Sequence, residues 1–228
     1  MLDCETLLVV AAHADDEVLG CGGTMAKASQ HGTKVQVAFL ADGVSSRSAS
    51  GVDEEEMVAR RAAAQNACGI LGVSSLFFGE FPDNQMDAVP LLSIVKVVES
   101  LIDQYRPSVI LTHHIGDTNI DHRRVHDAIV AACRPQKGHP VRTVLGFEVA
   151  SSTEWQFPGS APYFAPNWFE DISDQLSLKL NALTAYAHEL REPPHPRSSE
   201  AIGYLAKWRG ATIGAAAAEA FVLGRHIQ

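Results

Sequence analysis

The chain alternates short apolar runs with longer stretches of helical periodicity. The early apolar runs are mostly continuous, which is typical of strands covered on both faces of a sheet. The runs predicted as strands are residues 6–12, 34–40, 74–78, 108–112, 143–149 and 220–223. The stretches predicted as helices between them are residues 20–31, 54–71 and 91–105. Strands alternating with helices predict an α/β fold, Rossmann-like, with a mostly parallel sheet and helices on both faces.

The residue composition changes after residue 149, but the change does not require a domain boundary. Residues 151–170 are rich in Pro, Gly, Ser and aromatic side chains, and are predicted to run over the surface. Two further helices are expected after them. No internal repeat appears, and 228 residues suit a single core. We therefore expect one domain spanning residues 1–228.

Composition excludes several classes of function. The formal net charge is −9 and no basic stripe occurs, which argues against a nucleic-acid partner. The apolar run at residues 7–12 is too short to span a membrane. The four cysteines are scattered without a CxxC pair, which indicates reduced thiols, a cytoplasmic location and no thiolate zinc site.

Two polar clusters follow predicted strands. The first contains His13, Asp15 and Asp16, and the second contains Asp121 and His122. Ligands of open parallel sheets bind beyond the carboxyl ends of the strands. If the two strands are neighbours at the switch point of the sheet, the clusters face each other.

The residue types in these clusters suit one divalent metal ion. Imidazole and carboxylate ligands from three side chains, with an open fourth position for water, are typical of catalytic zinc. His13 and Asp16 can converge on one ion, which leaves Asp15 beside the metal as a general base. The alternative is structural, because Asp-Asp-Glu before a helix is also a good N-terminal cap. The second cluster favours the metal.

Two segments resemble the motifs of a known enzyme family. The sequence AAHADDEVLGCGG at residues 11–23 resembles the AHPDDE motif of LmbE-like, PIG-L-type zinc N-deacetylases, and DTNIDHRRVH at residues 117–126 resembles their second metal motif. The tail HPRSSEAIGYLAKWRGATIGAAAAEAF, at residues 195–221, resembles the C-terminal region of many bacterial members. The resemblance implies one Zn²⁺ per chain and a small-molecule N-acetyl sugar or sugar conjugate as substrate. A homo-oligomer stays an open alternative.

The resemblance also implies roles for individual residues. His13, Asp16 and His122 would bind zinc, and Asp15 would be the general base. Asp121, the residue before the third ligand, would orient an imidazole without touching the metal.

The substrate-binding residues carried over from the family are less closely matched. Arg60 and Asp83 are the best matches for an arginine and an aspartate that contact substrate in relatives. Arg61 is an alternative to Arg60. Cys21, beside the first motif, is expected to pack against the sheet and not to act as a nucleophile.

The chain departs from the family at two positions. Ala14 stands where the family usually has Pro. Asn119 stands where several relatives carry a His that stabilises the oxyanion, and an amide can donate a hydrogen bond but cannot act as a proton donor. Either Asn119 fills the electrostatic role alone, or another histidine takes it. Two histidines are candidates: His195, in a Pro-flanked turn, and His126, one helical turn after His122.

The remaining histidines and the aromatic side chains have a simpler interpretation. His126, one turn after His122, is expected to be structural and not a fourth ligand. One of His113 and His114 is expected to line the site. Most of the aromatic residues at 155–168 are expected to cover the sheet edge, with one or two at the pocket mouth: Trp155, Phe157, Tyr163, Phe164 and Trp168.

The sequence thus predicts a zinc-dependent hydrolase that releases acetate from an N-acetylated amino sugar or glycoconjugate. Two alternatives stay open. One is a zinc amidase or esterase on another acyl substrate. The other is a non-catalytic Rossmann-like protein that binds a nucleotide or sugar.

Overall fold

A computed structural model describes residues 4–43 and 54–228. Within these ranges the strands are β1 (Thr6–Ala11), β2 (Lys34–Ala41), β3 (Ser75–Phe81), β4 (Val109–His113), β5 (Thr143–Phe147), β6 (Trp168–Asp171) and β7 (Ala218–His226). The α-helices are α1 (Asp16–Gln30), α2 (Glu54–Ile70), α3 (Leu91–Tyr105), α4 (Ile120–Ala132), α5 (Leu176–Thr184) and α6 (Ser199–Ala211), with a short 3₁₀ turn at Met86–Ala88.

The seven strands form one sheet in the order β3-β2-β1-β4-β5-β7-β6. Strands β1 to β5 are parallel, and β7 pairs antiparallel with both β5 and β6. The order reverses between β1 and β4, which are neighbours, so this sheet has its switch point there. The prediction of an α/β fold with a mostly parallel sheet is confirmed.

Helices cover both faces of the sheet and form a core on each. Alternate residues of β1 point to opposite faces, so Leu7 and Val9 join one core while Leu8 and Val10 join the other. The first core includes buried residues of α1, α2 and α5, and the second those of α3 and α4. Because β1 is buried on both sides, the loop at its end is fixed in position.

Helix α1 begins four residues earlier than predicted and is broken at Cys21, whose φ of −147° and ψ of 22° are not helical. The second part begins at Gly23 and Thr24, whose backbone N–H groups donate to the carboxylate of Glu219 at 2.9 and 2.7 Å. Lys179 Nζ lies 2.6 Å from the same carboxylate. This buried ion pair satisfies the backbone groups that the break exposes.

Other differences from the predicted elements are small. Strand β3 continues to Phe81, which brings Asp83 close to its end. Strand β6 lies in the segment predicted to run over the surface, and it is four residues long and pairs only with β7. Among the described helices, none combines the length and apolar character that crossing a membrane requires.

Candidate metal and catalytic site

The two polar clusters meet at the switch point of the sheet. His13 and Asp16 follow β1 at the start of α1, and His122 lies in the first turn of α4, the helix that follows β4. Since β1 and β4 are hydrogen-bonded neighbours, residues more than 100 positions apart in sequence face one another. The structure therefore brings the three predicted metal ligands together.

The ligand atoms of these three residues form a compact triangle. His13 Nδ1 lies 3.3 Å from Asp16 Oδ2, Asp16 Oδ2 lies 3.3 Å from His122 Nε2, and the two imidazole nitrogens are 3.3 Å apart. A tetrahedral ion with bonds of about 2.0 Å holds its ligand atoms about 3.3 Å apart. Asp16 Oδ1 is buried with no hydrogen-bond partner among the described residues. The donor set and its spacing fit Zn²⁺.

Carboxylates behind the ligands fix both imidazole rings. His13 Nε2 lies 2.9 Å from Asp83 Oδ1 and 3.0 Å from Asp121 Oδ2. His122 Nδ1 lies 3.2 Å from Asp117 Oδ1. Each ring therefore directs one nitrogen at a carboxylate and the other at the ligand triangle, as metal-binding histidines do.

Asp121 lies beside His13 Nε2, the position expected for the residue that orients an imidazole. Its carboxylate also accepts the backbone N–H groups of Asn84 at 2.6 Å and Met86 at 3.0 Å. His13, Asp83 and Asp121 form a second group with metal-ligand spacing. Because this group uses Nε2 of His13, the same ring can serve the first triangle through Nδ1.

The charges of the cluster favour a cation. Burial lowers the pKa of His122, but the adjacent Asp16 and Asp117 carboxylates outweigh it and raise this pKa to about 9. The pKa of His13 is raised well above its usual value, since its carboxylate partners outweigh burial. Burial raises the pKa of Asp16, yet His122 and His13 bring it well below its ordinary value. These carboxylates thus favour a positive charge at the two imidazoles that would bind the ion.

His113 supports the cluster from the apolar side. Its Nε2 accepts the backbone N–H of Ala12 at 2.8 Å, and its ring stacks on His122 with centroids 3.9 Å apart. Burial, followed by the nearby His122, lowers its pKa well below the usual value, so the ring is neutral. Phe147 packs edge-on against His113, and the same ring lies against Gly20 of α1.

The other two histidines near the site make backbone contacts. His126 Nδ1 lies 2.9 Å from the carbonyl oxygen of His113, and His114 Nε2 lies 3.0 Å from that of Pro162. Neither histidine belongs to a group with metal-ligand spacing among the described residues. His126 thus has the structural contacts that were predicted for it.

Asp15 is held in an uncommon backbone conformation beside the metal cluster. Its φ of 121° lies where non-glycine residues rarely occur, and such strain concentrates at functional sites. Its backbone N–H donates to Glu17 Oε2 at 3.0 Å. Its carboxylate Oδ2 accepts a hydrogen bond from Arg197 Nη1 at 2.9 Å. These contacts on both sides stabilise the turn.

Burial sets the acidity of Asp15. It raises the pKa of this carboxyl, Arg197 opposes that effect, and Asp16 adds to it, so that the pKa is about 6. A carboxyl whose pKa lies near neutrality can both accept and release a proton in the physiological range. The position and acidity of Asp15 suit a general base.

Glu17 and Tyr186 form a buried support under Asp15 that the sequence did not reveal. The Tyr186 hydroxyl donates to Glu17 Oε1 at 2.6 Å, and Glu17 is fully buried. Burial raises the pKa of Glu17 to about 8, against the hydrogen bond from Tyr186. Glu17 belongs to the first motif, but nothing local indicates a partner 169 residues away.

A cavity of about 100 Å³, here called the catalytic cavity, opens at Asp15 and His13. Four further side chains that line it matter to the predicted roles: Arg60, Asp83, Asn119 and Arg197. Arg61 instead places its guanidinium over the Phe78 ring, 5.4 Å from the centroid. Of the two arginines proposed for substrate binding, the structure therefore brings Arg60 to this cavity.

Asn119 and His195 differ in their access to the catalytic cavity. Asn119 Oδ1 caps α4 by accepting the Asp121 N–H at 2.8 Å, and its Nδ2 donates to Asn84 Oδ1 at 3.1 Å. His195 Nδ1 accepts the backbone N–H of Arg197 at 3.0 Å, and its ring meets the edge of Trp155. Among the described residues His195 does not line the cavity, whereas Arg197, two residues later, does.

Arg197 is a site residue that the sequence reasoning missed. It lies in the tail segment that carries part of the family resemblance, yet no spacing rule connects it to Asp15. Glu189 was also missed, and it accepts a hydrogen bond from Arg60 Nη2 at 2.5 Å. Both residues come from the irregular segment between α5 and α6, where hydrophobic periodicity carries no information.

The aromatic residues at 155–168 do not line the catalytic cavity. The prediction that they cover the sheet is wrong for Trp155, Phe157 and Tyr163, which are 51, 79 and 64% exposed. Phe164 packs edge-on against His114, and Trp168 packs against the first core, which includes α1, α2 and α5. The wrong prediction rested on composition, which does not say which way a ring turns in an irregular segment.

The fold and this cluster define an α/β protein with a three-ligand candidate metal site at the switch point of its sheet. Residues 8–133 match the family described as PIG-L, GlcNAc-PI de-N-acetylase, and the chain belongs to that family. The predicted recognition is confirmed.

Two curated relatives carry deacetylase names. The chain is 29% identical over 183 residues to the uncharacterized deacetylase YaiS of Escherichia coli, with 78% of this chain and 88% of the relative covered. It is 26% identical over 198 residues to the diacetylchitobiose deacetylase of Thermococcus kodakarensis, with 83 and 72% covered.

Solved structures share the fold at lower identity. The N,N'-diacetylchitobiose deacetylase of Pyrococcus horikoshii superposes with a TM-score of 0.79 at 19% identity, covering 98% of this chain and 85% of that one. GalB, a 4-carboxy-2-hydroxymuconate hydratase from a Pseudomonas, superposes with a TM-score of 0.75 at 21% identity and 98% coverage of both chains. The fold therefore hosts more than one reaction, and the activity has to be argued from the site.

Proposed function

We propose that this chain is a zinc-dependent deacetylase that hydrolyses the acetamide of an N-acetylated amino sugar or glycoconjugate. The observation that carries the proposal is the triangle of His13, Asp16 and His122 ligand atoms, 3.3 Å on each side, with Asp15 beside it. The family and the named activity of the Thermococcus relative support the substrate class.

His13, Asp16 and His122 would hold one Zn²⁺ per chain. Zinc at this position supplies Lewis acidity, which lowers the pKa of water from about 15.7 towards 7. Asp15 accepts the proton of the attacking water. It then returns that proton to the amine nitrogen as the amide C–N bond breaks, so acetate and a free amino sugar leave.

Other side chains orient the substrate. The Asn119 amide is the donor that we assign to the carbonyl oxygen as it gains negative charge. His195 is kept as the alternative. Arg60 and Asp83 bind sugar hydroxyls, because both line the cavity in which Asp15 acts.

The four cysteines are free thiols, which supports a cytoplasmic location for the enzyme.

The test is acetate release by purified, tag-free protein of measured zinc content. The substrates are N-acetylglucosamine, its glycosides, N-acetyl amino acids and acetate esters. Acetate and amino sugar in equal amounts, abolished by Asp15→Asn, would support the proposal. Turnover of the esters or amino acids alone would favour the alternative of another acyl substrate. Zinc-loaded protein that binds a sugar but releases no acetate would favour a binding protein.

A further inference from the structure

The backbone of Asp15 is held in a conformation that it would not keep by itself. Asp15 stands at the N-terminal cap of α1 with a φ of 121° and a ψ of −29°. This conformation costs a residue other than glycine on the order of 1–3 kcal/mol, so neighbouring groups have to stabilise it. The Asp15 carbonyl oxygen accepts the N–H groups of Val18 and Leu19 at 3.1 and 3.0 Å. The opposite end of the turn depends on the Asp15 N–H.

The carboxylate of Glu17 holds that N–H. Glu17 Oε2 accepts it at 3.0 Å, and this is its one hydrogen bond within residues 4–43 and 54–228. Glu17 is fully buried, so water does not help to orient its carboxylate. The grip on Asp15 is therefore as firm as the contact at the second oxygen of Glu17.

Tyr186 holds the second oxygen. Its hydroxyl donates to Glu17 Oε1 at 2.6 Å, whereas the Cys68 sulfur, a weak donor, lies 3.8 Å from the same atom. The Tyr186 ring is buried in the first core. Its carbonyl oxygen accepts the N–H of Glu189 at 2.8 Å, which fixes the backbone of the residue. The hydroxyl is thus a donor with a fixed position.

Tyr186 and Arg197 act on opposite ends of Asp15. Arg197 donates to the Asp15 carboxylate, while Tyr186 reaches the Asp15 backbone through Glu17. Both come from the segment between α5 and α6. Arg197 therefore influences the acidity of the carboxyl, and Tyr186 influences where that carboxyl lies.

We infer that Tyr186 is a positioning residue for the base, because its hydroxyl orients Glu17 and Glu17 holds the strained Asp15 turn. The inference rests on the proposed function for the role of Asp15 as the base. A general base has to lie within hydrogen-bond reach of the proton that it takes. Displacement of a catalytic group by about 1 Å can cost about 100-fold in rate. Tyr186 acts through Glu17 and is not itself a catalytic residue.

The first experiment compares Tyr186→Phe with Tyr105→Phe. Tyr105 is the matched control, because its hydroxyl makes a 3.1 Å hydrogen bond to Ser75 at the start of β3, the edge of the sheet opposite the site. The substrate is the best acetamide of the acetate-release panel, assayed at about pH 8, where Asp15 is ionised. Tyr186→Phe should lower kcat about tenfold, with KM and zinc content within about twofold of wild type. Tyr105→Phe should leave kcat within about twofold.

A double-mutant cycle tests the path through Glu17. Glu17→Leu removes the carboxylate and is expected to lower kcat at least as much as Tyr186→Phe. Tyr186→Phe added to Glu17→Leu should cost less than about twofold more, because the group through which Tyr186 acts is gone. Independent, multiplying losses would mean that Tyr186 affects the rate by another route, and would overturn the inference.

The second experiment needs no turnover. Amide hydrogen exchange at Asp15, followed by NMR on the zinc-loaded protein, reports on the N–H that Glu17 holds. Exchange at this position should be about tenfold faster in Tyr186→Phe, the scale expected for weakening one hydrogen bond. It should be unchanged in Tyr105→Phe.

The outcomes separate this inference from the proposed function. An unchanged kcat in Tyr186→Phe, with or without faster exchange at Asp15, would overturn the inference and leave the deacetylase standing. An equal loss in Tyr105→Phe, or a loss that follows the zinc content, would also overturn it. Wild-type protein that releases no acetate from any acetamide would refute the proposed function. Faster exchange in Tyr186→Phe would then still support the hold of Tyr186 on the Asp15 turn.

Discussion

The carboxylate of Asp15 accepts a hydrogen bond from the guanidinium of Arg197 at 2.9 Å, across 182 residues of sequence. The Arg197 side chain is 22% exposed, while that of Asp15 is 6% exposed. Burial and Arg197 therefore act on the same carboxyl in opposite directions. The acidity of the proposed base depends on a residue from the loop before α6.

Removal of Arg197 should change the pH at which the enzyme works. The base must be ionised, so kcat/KM should fall as the pH drops through about 6, the pKa of Asp15. Arg197 lowers that pKa, so Arg197→Met should move the acidic limb to higher pH. Arg191→Met is the control, because Arg191 is exposed and contacts only backbone carbonyls in the described structure. An unmoved limb in Arg197→Met would assign the titration to another group.

The metal ligands can be tested by zinc content. His13→Ala, Asp16→Ala and His122→Ala should each lose most of the zinc while remaining folded, because each removes one corner of a three-ligand triangle. His126→Ala should retain zinc, since its ring nitrogen binds a backbone carbonyl. Elemental analysis of protein purified without a chelating tag gives the ratio of zinc to chain. Stoichiometric zinc in all three ligand variants would refute the assignment.

Asp15→Asn separates the base from the ligands. The variant should keep its zinc but lose about 100-fold or more in kcat, the scale expected for a missing general base. Zinc content and acetate release are measured on the same sample. Near-normal turnover would mean that another group takes the proton of the attacking water.

Asn119 has two roles, as the proposed oxyanion donor and as the cap of α4, and these roles can be tested separately. Asn119→Ser keeps an oxygen that caps α4 and loses the amide donor, so kcat should fall about 100-fold with little change in KM. His195→Ala should lower kcat by less than tenfold, because the ring accepts a hydrogen bond from Arg197 N–H within its own loop. If instead His195→Ala removes a limb of the pH profile and Asn119→Ser is harmless, His195 is the proton donor.

The ion pair of Lys179 and Glu219 should matter for stability. Lys179→Met leaves a buried carboxylate without its cation, and the free energy of unfolding should fall by about 3–5 kcal/mol. Lys96→Met removes an exposed partner of Glu99 and should change it by less than about 0.5 kcal/mol. Urea unfolding measures both. Equal effects would show that the buried pair is replaceable.

The sequence predicts the parts of this site that belong to regular elements. The continuous apolar runs of β1 and β4 locate the ends from which His13 and His122 extend, and the parallel pattern places those ends on one edge. The break of α1 at Cys21 could not be predicted locally, because the group that caps it is Glu219, almost 200 residues later. Contacts made by irregular segments cannot be predicted from hydrophobic periodicity, because their partners are also distant in sequence.

The ring of Phe147 touches both halves of the proposed metal site from behind. It lies against Gly20, one helical turn after Asp16, and it packs against His113, which stacks on His122. One apolar side chain, which is not itself a proposed ligand, thus packs against both ligand-bearing segments. A smaller residue at 147 would loosen Asp16 and His122 together. In the proposed metal site, the spacing of the ligands would therefore depend on the hydrophobic core as well as on the ligands themselves.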